Sequence, residues 1–186
     1  WARANGCPWN KDTCQYAAQG GHLEVLQWAR ANGCPWNEDT CLRAMEGGHL
    51  KILQWALANG CPTDKLTCSS VATSAARGGH LEILQWVRAN GYPLNEDTCA
   101  YAAYSGNLEV LQWARANGCP WNEDTCFGAA YCGDLEILQW ALANGCPWDK
   151  DACLHEAINE EHVDILRWGR AIGAISFLGD GRYHIS

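Results

Sequence analysis

The chain has 186 residues, 48% of them hydrophobic, which is the size and composition of a packed domain and not of a disordered tail. Its 13 lysines and arginines stand against 21 aspartates and glutamates, and a formal charge of −8 argues against a nucleic-acid partner held by phosphate neutralisation. No run approaches the roughly 18 apolar residues of a bilayer-spanning helix, so no membrane association is expected. The opening at Trp1, without a methionine, suggests a piece of something longer.

Gly6, Gly33, Gly60, Gly91, Gly118, Gly145 and Gly173 follow one another at intervals of 27, 27, 31, 27, 27 and 28 residues, and each closes a near-copy of one sequence. A partial repeat (1–9) comes first. Complete repeats are expected over 10–36, 37–63, 64–94, 95–121, 122–148 and 149–176, so the array covers 1–176 and leaves a tail at 177–186. Fixed periods of this length mark arrays in which each unit packs on its neighbours.

The repeat over 95–121 shows the expected elements most fully. Asn95 caps a first helix, Glu96 and Asp97 sit where a helix N-terminus favours acids, and Gly106 closes the segment. Leu108, Val110, Leu111 and Ala114 then recur at helical spacing with Glu109, Gln112 and Arg115 on the other side, which predicts a second, amphipathic helix from Leu108 to Asn117 with Asn107 at its start. Gly118 takes the left-handed C-terminal position, and Pro120 forbids continuation. All six prolines (Pro8, Pro35, Pro62, Pro93, Pro120 and Pro147) occupy that slot. No strand-like alternation is visible, so the fold class is all-α: an α-solenoid of stacked antiparallel helix pairs.

Two repeats are irregular. The third, DKLTCSSVATSAARGGH in its first half, carries four extra residues, placed around Val71 to Ser74. The last has longer histidine spacing and loses the Gly-x-Pro pattern at Gly173. Its Ile172, Ile175, Phe177 and Leu178 make an apolar tail that either folds back on the last repeat or marks a second cut.

The order Thr-x-x-x-Ala-Ala, Gly-His-Leu-Glu-Val-Leu and Asn-Gly resembles the ankyrin repeat, whose usual pattern is TPLHxAAxxGHLEVVxxLLxxGA. Thr13, Ala17, Ala18, Gly21, His22, Leu23, Glu24, Val25, Leu26 and Gly33 match it, and the match recurs over nearly all of 1–176. Cys14 stands where the family usually has proline, and the repeat is about six residues shorter than the usual 33 or so. The shortage falls between Gly33 and Thr40, where the family builds its projecting hairpin. The resemblance implies a short-form array without that finger, whose hairpin-tip binding surface does not carry over.

Several recurrent residues suggest chemistry. Trp1, Trp28, Trp55, Trp86, Trp113, Trp140 and Trp168 share a slot on the second helix, and Trp9, Trp36, Trp121 and Trp148 share the loop slot after proline. They are expected to fill the space between repeats, not to form a ligand ladder. Five C-x6-C pairs (Cys7/Cys14, Cys34/Cys41, Cys61/Cys68, Cys119/Cys126 and Cys146/Cys153) leave Cys99 and Cys132 over. They lack the close spacing of a zinc site. Tyr92 also stands where the first cysteine of a pair with Cys99 would be, so buried, reduced thiols of an intracellular, cytoplasmic protein are expected, with no metal. A thiol-rich metal-binding or redox protein is the alternative. His22, His49, His80 and His162 open second helices and are expected to serve in turns and caps. The acids near each helix start suit the helix dipole better than a calcium loop. No catalytic or cofactor fingerprint occurs, so neither enzyme nor cofactor is expected.

Where near-copies differ, packing does not dictate the residue. The differences gather on the first helix: Tyr16 and Gln19, Arg43 and Glu46, Arg77, Tyr101 and Tyr104, Phe127 and Tyr131. Three-residue spacing puts Tyr16 with Gln19, Arg43 with Glu46, Tyr101 with Tyr104 and Gly128 with Tyr131 on one face. The ankyrin resemblance makes that face the concave side, and tyrosine with arginine suits recognition. The expected function is a monomeric, non-catalytic protein-protein interaction module with a protein partner.

Overall fold

The computed structural model describes residues 9–62, 68–177 and 183–185. Most of the partial repeat (1–8, with Trp1 and Cys7), residues 63–67 and the tail residues 178–182 and 186 lie outside the described residues, as do the side chains of Cys68, Ser69, Phe177, Tyr183 and His184. Helices alternate along the chain: α1 (Lys11–Gln19), α2 (Leu23–Ala31), α3 (Glu38–Glu46), α4 (Leu50–Ala58), α5 (Cys68–Arg77), α6 (Leu81–Ala89), α7 (Glu96–Tyr104), α8 (Leu108–Ala116), α9 (Glu123–Tyr131), α10 (Leu135–Ala143), α11 (Lys150–Asn159) and α12 (Val163–Ala171). Two compact units divide the chain, Trp1–Leu94 and Asn95–Ser186. In the first, α1, α3 and α5 stack on one another and α2, α4 and α6 each pack on the first helix of their own pair. The second repeats this with α7, α9 and α11 as the stacked layer. This is the all-α arrangement of stacked helix pairs.

Small residues let the first helices come together. Ala18, Ala44, Ala76, Ala103 and Ala130 are fully buried, as are Cys14, Cys41, Cys99, Cys126 and Cys153 in the preceding turn. The second helices contribute Leu26, Leu53, Leu84, Leu111 and Leu138, each completely buried and each worth roughly 1.5 to 3 kcal/mol of hydrophobic stabilisation. The paired tryptophans bridge successive repeats as expected, but outside this aliphatic core. None of the described indoles is buried in this core, and Trp28 is 53% exposed. They pair instead: Trp9 with Trp28, Trp36 with Trp55, Trp121 with Trp140 and Trp148 with Trp168, at ring-centroid distances of 5.2, 5.7, 6.0 and 5.9 Å. Each pair joins the loop of one repeat to the second helix of the next. Arg30 lies 4.1 Å from the Trp36 ring and Arg115 4.0 Å from the Trp121 ring. Side-chain amides close the second helices: Asn32, Asn59, Asn117 and Asn144 donate to the carbonyls of Trp28, Trp55, Trp113 and Trp140, four residues back.

The histidines act across repeats. None of His22, His49, His80 and His162 caps its own helix through its side chain. His49 Nε2 meets the Gln19 carbonyl at 3.0 Å, His80 Nε2 that of Glu46 at 2.9 Å and His162 Nε2 that of Tyr131 at 2.8 Å. Each ring therefore tethers the last carbonyl of the preceding first helix, over a Gly-Gly or equivalent turn. In the fifth repeat Asp134 replaces histidine and cannot donate. The Cys132 thiol takes over, donating to the Tyr104 carbonyl at 2.7 Å, while Asp134 becomes a true cap and accepts from the Ile137 amide at 2.9 Å.

The third and last repeats depart from expectation. In α5 the Ala75-Ala76-Arg77 end aligns with Ala17-Ala18-Gln19 of α1, which puts Ala72 in the slot of Cys14. Val71 and Ala72 are fully buried. Val71 and Ala72 are thus core, Thr73 and Ser74 are half-buried, and the extra length lies N-terminal to them. At the other end, β1 (Ile175–Phe177) and β2 (Tyr183–Ile185) form an antiparallel ribbon with Ile175 opposite Ile185, beside α12 and α11. Ile175 is buried against Gly169, so the tail folds back. A Cβ on Gly169 would fall 2.9 Å from Ile175 Cδ1. Glu161, with φ of 57°, is left-handed where other repeats place glycine. An L side chain there costs roughly 1 to 2 kcal/mol, so Glu161→Gly is expected to raise the unfolding free energy by about 1 kcal/mol in a urea titration.

Candidate partner-binding face

The variable positions divide between the two units. In the first, Tyr16 projects from α1 with 72% of its surface exposed, and Gln19 is exposed beside it. On α3, Arg43 donates to Glu46 at 2.7 Å, and Arg77 of α5 approaches the same carboxylate at 3.6 Å. Glu46 is thus shared by two guanidinium groups, and this part of the face is charge-compensated. Exposed pairs of this kind contribute about 1 kcal/mol or less.

In the second unit the variable positions converge. Tyr104 of α7 lies at the centre of an aromatic cluster, its ring 6.2 Å from Tyr101, 6.4 Å from Phe127 and 5.8 Å from Tyr131. Tilted and edge-on contacts at these distances are favourable aromatic geometry. Tyr101 and Tyr131 are 36% and 49% exposed, whereas Tyr104 and Phe127 are half-buried. Gly128 makes the arrangement possible. A Cβ at that position would sit 2.9 Å from Tyr104 Cδ2 and 3.0 Å from Cγ, so the Tyr104 ring rests against bare backbone of the next repeat. Burial, then the Asp124 carboxylate, the Cys132 thiol and the Glu156 carboxylate, push the Tyr104 phenol above its ordinary pKa.

Three contributors were not among the candidate binding residues: Asp124, Glu156 and Gly128, the last of which the sequence places on the same face as Tyr131. Two left signals. Glycine inside a helix costs about 1 kcal/mol relative to alanine, and Gly128 holds a slot filled by Tyr16, Arg43, Tyr101 and His155 elsewhere. Glu156 stands where Ala17, Ala44, Ala75, Ala102 and Ala129 form the packed pair.

The cysteines do not pair as C-x6-C. Cys14, Cys41, Cys99 and Cys126 lie against Cys34, Cys61, Cys119 and Cys146, the cysteine that follows the glycine of the same repeat. Those second cysteines donate to the carbonyls of Asn10, Asn37, Asn95 and Asn122 at 3.5, 3.3, 3.1 and 3.4 Å, tying each loop to the start of its own first helix. All ten described cysteines are free thiols, and only Cys132 among them is exposed. Burial raises Cys14 to about 12 and Cys153 to about 11. Among the described residues no three His, Cys, Asp or Glu side chains are grouped to hold a metal ion, and no helix is long and apolar enough to cross a membrane.

No family model matches the chain, and no curated protein matches it. Among solved structures, the human ASB11 ankyrin repeat domain superposes with a TM-score of 0.64 at 16% identity, covering 91% of this chain and 88% of that one. The fold is that of an ankyrin-repeat domain. Within the ankyrin-repeat fold this chain is a short form: α2 ends at Ala31 and α3 begins at Glu38, and the described residues between them hold no strand. The first helices that carry the variable residues are therefore the part of this ankyrin-repeat fold where the copies differ most.

Proposed function

We propose that this chain is a monomeric, non-catalytic protein-interaction module of the cell interior. Its array, over 1–176, receives a protein partner on the first-helix face through Tyr16, Gln19, Arg43, Glu46, Arg77, Tyr101, Tyr104, Phe127 and Tyr131. One observation carries the reading. The slots that packing dictates hold the same small residues in nearly every repeat, whereas the unconstrained slots of α7 and α9 gather four aromatic rings, two of them well exposed. The ankyrin-repeat fold supports it as an analogy of architecture.

The test is quantitative binding of a partner recovered by cross-linking through the first-helix face. Tyr101→Ala/Tyr131→Ala removes only exposed rings, so helix content and melting should hold while affinity falls by about 2 kcal/mol or more, the scale of an interface hot spot. A partner indifferent to that double change but lost on altering Glu109 and Arg115 of α8 would move the site to the second helices and overturn the reading.

A further inference from the structure

The aromatic cluster of the second unit sits in a strongly acidic setting. Residues 95–186 contain 14 aspartates and glutamates and 5 lysines and arginines, a formal charge of −9, while residues 1–94 carry 7 acids and 8 bases, a charge of +1. All of the chain's net negative charge thus belongs to the unit that holds the exposed rings. Neither α7 (EDTCAYAAY) nor α9 (EDTCFGAAY) has a lysine, arginine or histidine, and each opens with a Glu-Asp pair. Asp124 and Glu156 both act on the central Tyr104 through their charge. Aromatic faces present negative potential, and carboxylates beside them deepen it.

We propose that this cluster receives a lysine or arginine side chain from a basic segment of the partner polypeptide, with Tyr104 held against Gly128 at the centre and Tyr101 and Tyr131 flanking it. The inference rests on the reading of the first-helix face as the binding face and adds the chemistry of what it takes. A cation over tyrosine rings gains the quadrupole attraction, and neighbouring carboxylates supply the long-range pull. The rings give the contact its specificity, because acids alone would bind any cation. Gly128 serves preorganisation: the ring it seats is fixed before the partner arrives.

Fluorescein-labelled Gly-Ser dodecamers carrying four arginines, four lysines, four glutamates or four norleucines provide the probes, read by fluorescence polarisation at two salt concentrations. The arginine and lysine probes should bind saturably, more weakly at higher salt, and the glutamate probe should not bind. Tyr101→Phe/Tyr131→Phe should retain that binding, while Tyr101→Leu/Tyr131→Leu, which keeps apolar area but no ring, should lose about tenfold. Asp124→Asn/Glu156→Gln should weaken binding and flatten its salt dependence, with the remaining affinity still sensitive to the leucine pair. No saturable binding of the arginine probe up to millimolar concentration, equal binding by the leucine and wild-type proteins, or preference for the norleucine probe would each overturn the inference. Should a partner protein still be lost on Tyr101→Ala/Tyr131→Ala under those outcomes, the cationic chemistry alone falls and the first-helix face stands.

Discussion

Leu111→Ala is expected to destabilise the second unit by about 2 to 5 kcal/mol, and Trp113→Ala, two residues further along α8, by distinctly less. Leu111 has no solvent-exposed surface, so truncation removes its transfer free energy and leaves a cavity that the surrounding helices fill only in part. The larger side chain of Trp113 is only half-buried, and water already covers part of its ring. Urea unfolding of the two variants, with hydrogen exchange to locate the loss, checks that order. In a stack dominated by nearest-neighbour contacts, the Leu111 defect should show as early exchange around α7 and α8. A larger loss at Trp113 would mean that the indole layer, not the aliphatic one, holds the unit together.

Gly48→Ala should cost roughly 2 to 3 kcal/mol where Gly33→Ala costs about 1. Both glycines are left-handed, with φ of 78° and 80°, so each substitution carries the strain of an L side chain in that region. They differ in what the new methyl meets. At Gly33 nothing lies within 4 Å, whereas at Gly48 the Cβ would fall 2.6 Å from His80 Nδ1 and 3.0 Å from Cγ, in the ring that tethers the Glu46 carbonyl. Relief requires the ring to move and the tether to loosen. Thermal melts of both variants, with the His80 ring resonances followed by NMR, check the prediction. Equal melting losses and an unmoved ring would show that the histidine has room to spare.

These two contrasts mark where the sequence was informative. Caps, turns and helix spans are set by residues a few positions apart: Asn10 accepts from the Thr13 amide, Asn95 and Thr98 form a reciprocal cap, and Gly118 is left-handed with φ of 79°. Such features can be read from one repeat. Most of the misreadings concern partners a full repeat or most of one away. Cys34 is seven residues from Cys41 along the chain, yet its thiol reaches back to Asn10, because the returning second helix brings the loop to the start of its own repeat. His49 looks like a cap but spends its ring nitrogen on Gln19, in the preceding repeat. The ribbon at Ile175–Phe177 and Tyr183–Ile185 is too short to leave an alternating pattern. On the candidate face, the tyrosines were visible as variable positions. Their convergence was not, since it depends on the missing side chain of Gly128.

The tethers His49 to Gln19, His80 to Glu46, Cys132 to Tyr104 and His162 to Tyr131 all point backwards along the chain. Each repeat finishes its predecessor, as overlapping roof tiles cover the edge of the row below, and this gives assembly within a unit a direction. Stripping a repeat from the C-terminal side takes the donor away from a helix-end carbonyl and bares a close-fitting turn. Stripping one from the N-terminal side leaves only a donor that water can satisfy. A repeat grafted onto the C-terminal side of a unit therefore has to bring its own histidine, or a thiol in its place, to close the first helix before it.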